Sequence, residues 1–386
     1  MINFKGFLFY FKNTFLFLFL FFYFSYALSL ATEEIVRTVI ADKDGTKIVI
    51  HFTFSQTPGD QPIADLEKSD QLAPISSDIV LRAVDFEKIA DAMADQYKNF
   101  CDRQNCSLRG DDIYINVKIK LNSIFFPNLS EPAGSGNTFL TFFGKGKTSF
   151  LNNTFTMFFI ANDFQYVLDN IAPHEISHVL LGRMFQTPLP RCFDEGTCTL
   201  EESESFVNRT CLQFFERKKI IFGPTGLCRS FDSFFKIEAY SQDKQEVYDL
   251  YNSGALIAGY FIDKYGYDIY YKFISLVIRG KTLQTGIIDK IPEIKEVLNP
   301  TGKANFNYDV AMRNDFFSYL NSLGKDPKQA CKVFAQRIKS KDKKNQLVTT
   351  FSREECKNFV ILYKNISQKL PDNIKVACKD YLSEVE

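Results

Sequence analysis

Two of the chain's three histidines stand four positions apart in HEISHVLLGRMFQTPLPRCFDEGTC, as His174 and His178, with Glu175 directly after the first. On a helix, residues four apart lie on one face a turn from each other, so both imidazoles can offer a ring nitrogen to a single ion. Glu175 projects beside them. It is too close in sequence to be the natural third ligand, yet well placed to take a proton from a water. Two imidazoles do not complete a catalytic zinc site, which normally has three protein ligands and an open fourth position. The remaining histidine, His51, falls in a strand-like segment and is read as a solvent-side residue. The third ligand must then be a carboxylate or thiolate, and LPRCFDEGTC supplies Cys192, Asp194, Glu195 and Cys198 as candidates.

These groups need a scaffold, and the apolar periodicity supplies one. TKIVIHFTF places Ile48, Ile50, Phe52 and Phe54 on one face, and IYINVKIKL does the same with Ile113, Ile115, Val117, Ile119 and Leu121. Both are period-two strands. TFTMFFIAN from Thr154 is a short apolar run suited to a buried strand, and NTFLTFFGKGK before it suits a strand at a sheet edge. Between the first two strands, Phe86, Ile89, Ala90, Met93, Tyr97 and Phe100 recur at helical spacing behind Asp85, an N-cap candidate. From Asp163 onward the pattern turns helical, and from Tyr248 to Gly280 it predicts two helices separated by Gly266. With Asn170 as N-cap, Pro173 occupies the third helical position, where its missing N–H costs little; an earlier start implies a kink there. The expected class is α+β: a small N-terminal mixed or antiparallel sheet, a mostly helical C-terminal lobe, and the histidine helix between them.

Lys plus Arg and Asp plus Glu are equal at 46 each, so no global field favours nucleic acid. The first thirty or so residues differ from the rest. Lys5 and Lys12 precede an apolar stretch from Phe15 to Tyr26, then Ser29 and Ala31, the order of a signal peptide cleaved after Ala31. Left uncleaved, the same stretch would be a membrane anchor. The expected location is therefore secreted or periplasmic, with membrane anchorage as the alternative. In an oxidising compartment the nine cysteines would form up to four bridges. Cys192 and Cys198 are expected to be disulfide-bonded rather than ligands, and Cys211 and Cys228 could close a loop together. The expected organisation is a signal peptide at 1–31, a strand and loop segment at 32–84, the main domain at 85–324, and a helical cysteine-containing appendage at 325–386.

HEISHVLLGRMFQTPLPRCFDEGTCTLEE resembles the gluzincin metallopeptidases, in particular the peptidase-MA-like domains, over roughly Phe86 to Gly280. The resemblance implies a zincin-like fold and a zinc ion held by His174, His178 and the glutamate before Gly196, which is Glu195. It also implies Glu175 as general base. YNSG, Tyr251 to Gly254, is similar to the segment whose tyrosine donates to the developing oxyanion, which makes Tyr251 the candidate, with Tyr248 close by. The Gly-x-Met-Glu-Asn strand that holds a substrate's amino terminus in the aminopeptidase branch is missing, which points to cleavage within chains. The expected function is an exported zinc-dependent peptidase acting on a peptide or protein substrate. The alternative is a secreted interaction protein on an inactive metallopeptidase scaffold.

Overall fold

The structure, a computed structural model, describes residues 33–40, 47–56, 81–104, 112–121, 133–143 and 150–340. The leader, most of the loop expected after Gln56, Cys106, Cys356, Cys378 and the lysine-rich run beyond Ser340 lie outside the described residues.

Among the described residues, five strands form one mixed sheet. They are β1 (Glu33–Ile40), β2 (Lys47–Gln56), β3 (Ile113–Leu121), β4 (Gly134–Phe139) and β7 (Thr154–Ala161), in spatial order β1-β2-β3-β7-β4. The three inner strands run parallel, and β1 and β4 run antiparallel at the two edges. The alternation read from β2 and β3 is the alternation found: Ile50, Phe52, Phe54, Ile115, Val117 and Ile119 are all buried. In register, Ile35, Phe52, Ile115 and Phe155 make one apolar row across four strands. β1 was not expected. The apolar run of β7 is not fully buried either, because among the described residues only one face of the sheet is covered there. Phe155, Met157 and Phe159 point inward, while Phe158 and Ile160 are exposed. The edge strand expected from NTFLTFFGKGK is β4, and a short β5 (Phe142–Phe143) and β6 (Phe150–Leu151) form a separate two-stranded ribbon.

Helix α1 (Ala83–Gln104) connects β2 to β3 and packs against β1. It starts before Asp85, so Asp85 is not its N-cap. The Asp85 carboxylate instead reaches back from the first turn to accept from the Arg82 N–H at 3.0 Å.

The histidine helix also begins earlier than Asn170. Asp163 caps α2 (Phe164–Tyr166), a π-helical turn follows at Val167–Ile171, and α3 (Ala172–Phe185) continues from it. Pro173 lacks an N–H and crowds the carbonyl one turn back, and the widened turn directly before it relieves that conflict. Asn170 sits inside this turn, where its Oδ1 accepts from the Ser203 N–H and hydroxyl at 3.2 and 2.7 Å.

The helical lobe follows as α4 (Arg191–Glu201), α5 (Glu204–Ile221), α6 (Phe231–Phe234), α7 (Lys244–Tyr265), α8 (Tyr267–Ile278), α9 (Ile287–Lys290), α10 (Pro292–Leu298), α11 (Tyr308–Ser322) and α12 (Pro327–Ser340). Gly266, with φ 84°, separates α7 from α8 as expected, in a backbone region that suits glycine. Among the described residues, no helix is long and apolar enough to cross a membrane.

The cysteine pairing departs from expectation. Cys192 and Cys198 are free and buried, because six residues along one helix separate them by about 9 Å of rise, beyond disulfide reach. Cys228 is free and buried as well. Cys211 on α5 stands instead at disulfide distance from Cys331 on α12, 120 residues later. Replacing both with serine is expected to destabilise the protein by about 4–5 kcal/mol through the long loop released in the unfolded chain, read as a shift in denaturation midpoint.

Candidate metal centre

α3 carries His174 and His178 on one face, and their Nε2 atoms lie 3.2 Å apart. Glu195 on α4 brings Oε2 to 3.3 Å from the first and 3.5 Å from the second. All three side chains are buried, and their donor atoms could hold one metal ion. The residues singled out by spacing are thus brought together.

Two features return α4 to this position. α3 ends at Gln186, which adopts a left-handed conformation (φ 53°), and Pro190 then serves as the N-cap of α4. Gly196 and Gly254 then let α4 and α7 touch backbone to backbone. A Cβ on Gly196 would lie 2.3 Å from the Gly254 carbonyl carbon, and one on Gly254 would lie 2.5 Å from the Cys192 oxygen. Each motif glycine therefore has a packing reason, and the contact seats Tyr251, one turn before Gly254, beside Glu195. Gly196→Ala is expected to cost about 3 kcal/mol by forcing the helices apart. Metal affinity should fall with it, measured by denaturation and metal titration on the same protein.

Each imidazole is held from behind by a carboxylate. Glu202 Oε1 accepts from His174 Nδ1 at 2.8 Å, and Asp194 Oδ1 accepts from His178 Nδ1 at 2.8 Å. With Nδ1 donating to the acid behind it, each Nε2 faces the common point. Cys198 groups with His178 and Asp194 rather than with the His174, His178 and Glu195 set, and burial pushes its thiol above the ordinary range.

Glu175 is held by the sheet edge. In β4, Gly136 and Thr138 pair with Phe159 and Met157 and so face inward. The Thr138 hydroxyl donates to Glu175 Oε2 at 2.6 Å, and the carboxylate fills the space a Cβ on Gly136 would take. Tyr251 stacks on His174 with ring centroids 6.2 Å apart, and Tyr240 stacks on Tyr251 at 6.4 Å. Tyr240 also donates to Glu195 Oε1. Tyr248, the other candidate, is 60% exposed and does not line the cleft. The cleft, about 1180 Å³, is bounded by β4, α3, the α3–α4 connection and α7.

Charge follows the same geometry. Burial disfavours a charged His174, but hydrogen bonds to Glu195 and Glu202 outweigh it and hold the ring's pKa at about 10. His178 is raised likewise, with burial opposed by Asp194 and Glu195. Burial works against ionised Glu195, and the two imidazoles more than reverse it, so this carboxyl sits well below its usual range. Glu175 goes the other way: burial raises it, only partly offset by the histidines and Thr138. Burial, aided by Glu195, also raises both Tyr240 and Tyr251.

Three contributors escaped the sequence reading. Glu202 follows Glu195 by seven residues, two helical turns, and that spacing was a usable signal. Thr138 and Tyr240 lie on an edge strand and a loop, where no periodicity marks them. The chain matches no protein family model, no curated protein and no solved structure.

Proposed function

We propose that the protein is a zinc-dependent peptidase of the gluzincin type, exported and cutting within chains. The carrying observation is the triangle of His174 Nε2, His178 Nε2 and Glu195 Oε2, with sides of 3.2, 3.3 and 3.5 Å. Zinc with bonds of about 2.0–2.1 Å needs tetrahedral edges of roughly 3.3 Å. Two nitrogens and one carboxylate oxygen, each imidazole backed by an acid, form a donor set that suits this ion and leaves the cleft side open.

Zinc, when bound, supplies the Lewis acidity that acidifies a water and polarises the scissile carbonyl. Glu175, with its raised proton affinity, takes the proton of the attacking water and delivers it to the leaving amine. Thr138 and Gly136 hold that carboxylate in place. Tyr251 donates its hydroxyl to the developing oxyanion, and Tyr240 steadies Glu195. Among the described residues β4 is the last strand on its side of the sheet, and it borders the cleft, so an extended substrate can lie along it.

The test is zinc content per chain together with cleavage of an unfolded protein before chelation, after it, and after zinc is restored. One zinc per chain with restorable cleavage supports the reading. A full complement of zinc without cleavage overturns it in favour of an interaction protein. Tyr251→Phe is expected to lower kcat about a hundredfold with little change in KM, checked by steady-state kinetics.

A further inference from the structure

Arg191 is the cation nearest the metal ligands in the cleft wall. It opens α4, and its side chain is 35% exposed. Its guanidinium lies over the Tyr240 ring, 4.5 Å from the centroid, which fixes the plane of the fork. Of its five N–H groups, one makes a hydrogen bond among the described residues: Nη1 donates to Asp194 Oδ2 at 3.2 Å. Nε is buried without an acceptor, and Glu195 is 4.0 Å from Nη1, too far for a hydrogen bond. The carboxylates around it have other partners as well. Asp194 holds His178, and Glu195 belongs to the metal triangle and accepts from Tyr240. Lys236 and Glu238, of opposite charge, also line the cleft. An oriented guanidinium with most of its donors unspent, set in the wall of a cleft, is a receptor for a carboxylate.

Resting on the peptidase reading, we propose that Arg191 is the carboxylate anchor of the cleft, so that favoured substrates carry a carboxylate close to the bond that is cut. That carboxylate is either an aspartate or glutamate side chain or the substrate's own C-terminus, and the two sources separate experimentally.

The probes are acetylated hexapeptides of alanine and leucine. In one series a single glutamate is moved along an amidated peptide, each compared with its glutamine twin. In the other, the uncharged peptide carries a free C-terminus or an amide. Binding is measured by calorimetry to the zinc-loaded Glu175→Gln protein, and turnover of the same peptides with the wild type. At least one acidic probe should bind about tenfold tighter than its neutral twin, the value of one charge-assisted pair. The glutamate series identifies a side-chain source and the free-terminus pair a terminal one. Arg191→Met in the same background should erase that ratio whatever it does to overall affinity, and Arg191→Lys should keep part of it. Acidic and neutral twins bound within about twofold of each other overturn the proposal, as does an advantage that survives Arg191→Met. If neither twin binds, it is overturned too. Discrimination in binding with no turnover by the wild type leaves the anchor standing and sinks the peptidase reading. Equal turnover of twins that bind alike does the reverse.

Discussion

Replacing Glu175 with glutamine is expected to lower kcat about a thousandfold while the zinc content stays at one per chain. General-base catalysis contributes about 10²–10⁴ in rate, and the amide cannot accept the proton. The isosteric change retains the other contacts of this position. The glutamine oxygen still accepts from Thr138, and the side chain still fits against Gly136. Metal binding should therefore persist, since Glu175 is not among the three converging ligands. The measurement pairs metal analysis with initial rates on one preparation. Loss of zinc with loss of activity would make Glu175 a structural residue of the site, and unchanged activity would remove it from the chemistry.

The second large effect belongs to the ligands. His174→Ala, His178→Ala and Glu195→Ala should each weaken zinc binding by well over a hundredfold. Glu202→Gln and Asp194→Asn, which disturb the imidazoles from behind, should cost about 10–100-fold. Competition with a zinc-chelating dye on folded protein reads both classes on one scale. The metal-free site adds a pH signature. Its ion pairs hold His174 protonated up to about 10, and so stabilise the metal-free fold fully below the ordinary histidine pKa of about 6.5. That contribution is lost as pH rises through about 10. Zinc must displace this proton, so its apparent affinity should climb with pH, with proton release on binding.

Much of this site is visible in the order of residues because its elements are local. His174 and His178 share a helix turn whatever surrounds them, and Glu195 follows in the next helix. β2 and β3 show a period of two because, among the described residues, one face of the sheet is covered, and β7 and β4 are legible beside them as an apolar run and an edge segment. What was hidden depends on distant contacts. The start of α3 stays open in the sequence between Asn170 and an earlier residue, and the π-helical turn before Pro173 lets the helical run begin at Phe164. The pairing of Cys211 with Cys331 depends on how α12 docks on α5, which no local spacing records. The glycines at 196 and 254 read as motif letters, and only their mutual contact shows why a side chain is excluded at either. Tyr240 and Thr138 reach the site from a loop and an edge strand with no sequence pattern of their own.

The most direct measurement is anomalous diffraction at the zinc edge on crystals grown with zinc. A single strong peak about 2.0–2.2 Å from His174 Nε2, His178 Nε2 and a Glu195 oxygen is the expected result. A peak at other residues, or none at full zinc exposure, would contradict the assignment of these three side chains to one ion.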